Sequence, residues 1–81
     1  MSHDASLNKL IYMANQIGKA FALRPHDEAV AEISVHIKKF WEKRMLKQIC
    51  DHLETGGTGL DPLPKEALQI LCTEAQPITV N

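Results

Sequence analysis

The chain has 81 residues, 44% of them apolar and 23% charged, with a formal net charge of −1. This is a globular composition rather than a disordered one, sized for one small domain that buries about 60% of the surface its unfolded form exposes. The near-neutral balance excludes a global attraction for nucleic acid or anionic lipid, and no apolar run approaches the roughly 18 residues of a membrane span.

The charge is segregated, however. Residues 38–47 carry Lys38, Lys39, Lys43, Arg44 and Lys47 against Glu42, a local +4, whereas everything after residue 47 carries five acids against Lys65, a local −4. The start MSHDAS has neither the basic nor the apolar region of a secretory leader, so a cytoplasmic location is expected. Two cysteines, Cys50 and Cys72, are too few for a disulfide framework and are expected to serve as small core residues.

In chain order, Leu7, Leu10, Ala14, Ile17 and Phe21 fall at the three-four spacing of a helix stripe, widened by Ile11 and Gly18. Ser6 is the candidate cap, and Arg24-Pro25 ends this first helix near Leu23, because proline lacks the N–H a helix interior needs. Pro25 suits the first turn of a second helix, with Asp27 and Glu28 against the positive end of its dipole. Its stripe is Val30, Ile33, Ile37, Phe40 and Trp41, and the short connection folds the two helices into an antiparallel hairpin, stripe against stripe. Met45, Leu46, Ile49, Cys50 and Leu53 continue helical spacing to Glu54, where Thr55-Gly56-Gly57-Thr58-Gly59 stops it with Gly56 or Gly57 as a left-handed cap. No Pro or Gly separates this third stripe from the second, so periodicity alone allows one rod or two helices. Finally, Asp61 and Pro62 open a short fourth helix as N-cap and first residue, with Leu63, Ala67, Leu68 and Leu71 as its face. The expected fold is an all-α bundle of three to four short helices in a single domain, 1–81, with a core from about 6 to 72 and a flexible tail from 73.

Few of the chemically suggestive residues form a constellation. The TGGTG stretch follows a helix rather than a strand and lacks the Lys-Ser/Thr of a phosphate loop, so a helix stop with a flexible turn is expected. His36, Cys50, His52 and Cys72 are metal-ligand types without zinc-finger spacing, and no nucleophile has a base at a recognisable distance; no metal site and no catalytic site is expected. The basic segment HIKKFWEKRM reads in three ways: a solvated helix face, a protein-docking surface built from Trp, Phe, Met and Arg, or a nucleic-acid contact disfavoured by the acidic remainder. In the first helix, Asn15 and Gln16 interrupt apolar surroundings as either outward filler or a contact for a neighbouring chain.

Three segments are similar to one family, the delta subunit of soluble, molybdenum-containing, NAD-dependent formate dehydrogenases. LIYMANQIGKAF resembles its first-helix signature through Met13, Ala14, Asn15, Gln16, Ile17, Gly18 and Phe21. HIKKFWEKRM resembles a second signature, in which His, two basic residues and Phe-Trp precede an acid, Pro, Arg and Met; GLDPLPKEAL resembles a third. The order and spacing agree over residues 10–68. One departure is Lys43, which stands where the family has proline, and the family proline implies a bend near Trp41 to Lys43. The resemblance implies an accessory subunit without a cofactor, associated with the formate dehydrogenase catalytic (alpha) subunit that carries a molybdenum bis-guanylate pterin cofactor and iron–sulfur clusters. It also implies a role in assembly or stability of that complex, with a transient assembly or cofactor-insertion chaperone as the alternative.

The docking set expected from these readings is Asn15, Gln16, Phe40, Trp41, Arg44 and Met45. Within it, Phe40 is expected to close the core and Trp41 to stand as an exposed anchor rimmed by Arg44 and lysines. A homodimer of the isolated chain remains open, because the first stripe is shorter than the three to four heptads of a coiled coil.

Overall fold

Four amphipathic segments become four helices in the computed structural model, which describes residues 3–75, with side-chain surroundings from 7 to 74. They are α1 (His3–Ala20), α2 (His26–Phe40), α3 (Lys43–Glu54) and α4 (Pro62–Ala75), with no strand among the described residues. The α4 helix absorbs residues 73–75 of the expected tail, and 76–81 lie outside the described residues.

The helix ends follow local chemistry. Ser6 lies inside α1 and does not cap it, because the helix starts at His3. At the other end α1 stops at Ala20, and the chain tightens through i to i+3 bonds from Phe21 N–H to Gly18 O (3.2 Å) and Ala22 N–H to Lys19 O (3.3 Å). Pro25 stands just before α2, at the N-cap, where its carbonyl accepts from Ala29 N–H at 2.8 Å. Asp27 and Glu28 occupy the first turn of α2, and Lys38 and Lys39 the last, both matched to the helix dipole.

Two consecutive extended residues separate α2 from α3: Trp41 (φ −94°, ψ 140°) and Glu42 (φ −76°, ψ 159°). Trp41 N–H still closes on Ile37 O at 2.9 Å, and Glu42 N–H points to Met45 Sδ at 3.5 Å. Lys43 is the first residue of α3, a position that tolerates proline because its N–H has no helical partner. The bend therefore forms without the ring.

The α3 terminus is a Schellman motif, with Gly56 N–H bonded to Leu53 O and Gly57 N–H to His52 O, each at 3.0 Å, and Gly56 at φ +119°. Asp61 then precedes α4 with its carbonyl accepting from Lys65 N–H at 2.9 Å, and Pro62 is the first helical residue, as its missing N–H allows.

The helix pairing differs from a hairpin packed stripe on stripe. The α2 helix shares its largest interface with α4 and its smallest with α1, and α3 also packs on α4. A small residue on α4 permits this: Ala67 is fully buried, close enough for Ser34 Oγ on α2 to lie 3.4 Å from its carbonyl. Ile33 and Ile37 of α2, Ile49 of α3, Leu68 of α4, and Leu10 and Ala14 of α1 meet in one cluster, and no polar or charged side chain is buried among the described residues.

That cluster also takes Trp41, which is 7% exposed, whereas Phe40 is 67% exposed. The expected roles of the two rings are thus exchanged. Trp41 has left helical geometry, so a helical wheel misplaces it, and its extended backbone delivers the indole to the interior. A second correction concerns Cys50 and Cys72, which form a disulfide joining α3 to α4 across a Cα–Cα distance of 5.7 Å, within bridging range. Their number and spacing carried no sign of this, because the 22-residue separation is closed by α4 folding back on α3.

Replacing Trp41 with alanine is expected to cost about 3–5 kcal/mol, comparable with the whole stability of a domain this size. Phe40→Ala is expected to leave urea unfolding nearly unchanged, and similar losses for both would contradict this placement. Alkylation of the denatured chain without reductant should label neither cysteine. Replacing both with alanine should lower stability by about 3 kcal/mol for a loop of this length.

Candidate functional site

The polar residues of α1 have separate employments. Asn15 Nδ2–H donates to Gly59 O at 2.9 Å, and Asp61 N–H donates to Asn15 Oδ1 at 2.8 Å. A single side-chain amide thereby satisfies one carbonyl and one N–H of the α3–α4 connection. His52 braces the same connection from α3, its Nε2 2.8 Å from Thr58 O. The glycine-rich turn is therefore tied down on two sides, in place of the flexible turn expected from its composition. Among the described residues Gln16 bonds along its own helix, donating from Nε2 to the Tyr12 hydroxyl at 3.1 Å, and both residues are exposed.

One turn beyond Asn15, Gly18 is buried against α4. A Cβ added there would sit 2.7 Å from Pro64 Cδ, closer than real contacts allow, so only glycine fits. In the apolar pattern of α1, Gly18 counts only as a position that widens the stripe. An isolated glycine inside a helix costs about 1 kcal/mol relative to alanine, and that was the available signal for a close approach.

Around the α2–α3 bend the surface has a different character. Phe21, His36 and Phe40 form a row, with ring centroids 6.3 Å apart for the first pair and 4.8 Å for the second. The Arg24 guanidinium lies 5.5 Å from the Phe21 centroid and pairs with Glu32 at 3.2 Å. Next to this row is a groove of about 320 Å³, to which Val35 and Lys39 also contribute. Arg44 and Met45 line another groove of about 380 Å³ between α3 and α1, together with Lys9 and Leu10.

Most of the basic segment is uncompensated among the described residues. Lys47 reaches Asp51 at 3.4 Å, but Lys38, Lys39, Lys43 and Arg44 are exposed and make no ion pair among the described residues. Such a surface, apolar rings and a thioether among free cations, can receive an acidic protein surface with apolar projections.

The six residues expected to dock thus divide. Phe40, Arg44 and Met45 flank the bend at the surface, Trp41 belongs to the core, Asn15 is a loop clamp and Gln16 lies on the exposed side of α1. The metal-ligand types are engaged elsewhere: Cys50 and Cys72 with each other, His36 between two phenylalanines, and His52 on the connection.

A family model for the NADH-dependent formate dehydrogenase delta subunit FdsD matches residues 9–68. No curated protein and no solved structure gave a significant match. The matched span contains both partners of the Asn15 clamp and both partners of the Gly18–Pro64 contact.

Asn15→Ala should abolish both connection bonds and lower stability by about 1–3 kcal/mol, with faster amide exchange at Asp61. A variant whose Asp61 amide stays protected would show that the connection holds itself.

Proposed function

The chain belongs to the NADH-dependent formate dehydrogenase delta subunit family, and we propose that it acts in that complex as a non-catalytic accessory chain, docking on the catalytic (alpha) subunit in the cytoplasm. Binding there supports assembly or persistence of the enzyme. The observation that carries docking is the α2–α3 corner, where an exposed Phe40 and the Arg44–Met45 groove lie among four cations that make no ion pair among the described residues. Aromatic, Met and Arg side chains are the types enriched in interface cores, and free charges at the rim set orientation and rate of encounter.

The effect on the enzyme is linkage. A chain that binds only the assembled form stabilises it by RT ln(1 + [L]/Kd), about 2.7 kcal/mol at a hundredfold excess over Kd. The molybdenum pterin cofactor and iron–sulfur clusters belong to the partner in this reading. This chain contributes a surface and no reacting group.

Co-expression with the catalytic subunit tests the proposal. Phe40→Asp and Arg44→Glu are each expected to weaken capture of that subunit by about tenfold or more while helicity is unchanged. Retained capture by the folded double variant would remove the corner from consideration. Recovery in constant stoichiometry with the active enzyme supports a resident subunit, and recovery only with the cofactor-free form supports a transient chaperone.

A further inference from the structure

The outward side of α2 is a ridge that its own helix packing leaves uncovered. Glu28, Ala31, Val35 and Lys38 are all exposed, Val35 by 57%, and they recur at the three-four-three spacing of a helix-pairing seam. A groove of about 390 Å³ separates this ridge from α4, where Ile70 is 43% exposed, and the Phe40 groove runs along its other side.

The seam is palindromic in charge and size. Positions 28 and 38, 31 and 35, and 27 and 39 are each equidistant from position 33, and every pair matches an acid with a lysine or a small residue with a larger one. We propose that this face binds a second copy of the chain, with the two α2 helices antiparallel about a twofold axis at the level of residue 33. Such a closed, isologous contact requires a surface complementary to itself, and this ridge is. Ala31 of one copy faces Val35 of the other, letting the helices approach, while Glu28 faces Lys38 and Asp27 faces Lys39 at both ends. The antiparallel arrangement also opposes the two helix dipoles. Asp27, Glu28, Lys38 and Lys39 form no ion pair within the chain among the described residues, so none has to be broken. This face adjoins the Phe40, Arg44 and Met45 corner proposed for the catalytic subunit and shares Lys38 and Lys39 with its cationic rim.

From 28 to 38 the seam spans only about 16 Å, so association is expected to be weak. Sedimentation equilibrium of the isolated full chain at low salt, from about 10 µM to about 1 mM, should show a mass rising from 9.1 kDa toward its double. Glu28→Lys and Lys38→Glu should each weaken self-association by about tenfold or more, because two attractive pairs become repulsive. Mixing the two single variants should restore it, since a chain with lysine at 28 and 38 complements one with glutamate at both. Val35→Asp in either chain should abolish the restored association, which separates seam pairing from non-specific attraction. Circular dichroism confirms that each variant is folded. A monomer throughout the range, or a mixture that associates no better than either variant alone, overturns the proposal.

Discussion

A single asparagine and a single glycine, one turn apart on α1, determine where the α3–α4 connection lies and how near α4 can come. The Asn15 amide holds the connection by its Gly59 carbonyl and Asp61 N–H, and the missing side chain of Gly18 admits the Pro64 ring. With the start of α4 fixed in this way, its Ala67, Leu68 and Leu71 meet the stripe of α2, and Cys72 comes within bonding distance of Cys50 on α3. The first and third of the three sequence segments are thus two halves of one junction. They belong together because each supplies what the other's backbone or ring requires.

The second segment has a separate logic. His36, edge-on to Phe21, and Trp41 in the core bind it to the fold. Phe40 and Arg44 are exposed, as are Lys38, Lys39 and Lys43, which make no ion pair among the described residues. Inward and outward side chains therefore alternate within the same ten residues, and exposed Phe40 adjoins buried Trp41 where the backbone passes from helical to extended geometry. No charged side chain is buried among the described residues, so nothing in the core requires these cations to lie together.

The helices were legible because their signals are local. Stripe spacing, Pro25, the Asp61-Pro62 start and the Gly56-Gly57 stop each act within a few residues; the start of α2, the end of α3 and the start of α4 fall within about a residue of them, whereas α1 ends at Ala20, three residues before the expected Leu23. The errors were non-local or fell at breaks in periodicity. Trp41 and Phe40 exchanged roles because a wheel assumes helical angles where Trp41 has none. Asn15 looked like a surface amide because its partners lie 44 and 46 residues away. The cysteine pair and the predominance of the α2–α4 interface depend on how the chain returns on itself, which no stripe encodes. Ser6 misled for a simpler reason: a capping residue type also occurs within helices.

The Lys43 position has one more consequence. Because the corner is made by two extended residues before it, the first position of α3 is free to carry either a stiff ring or a flexible amine without altering the path of the chain. Architecture and surface character are thereby uncoupled at this corner. Substitution there can retune the electrostatic face of the corner while the scaffold beneath it stays as it is.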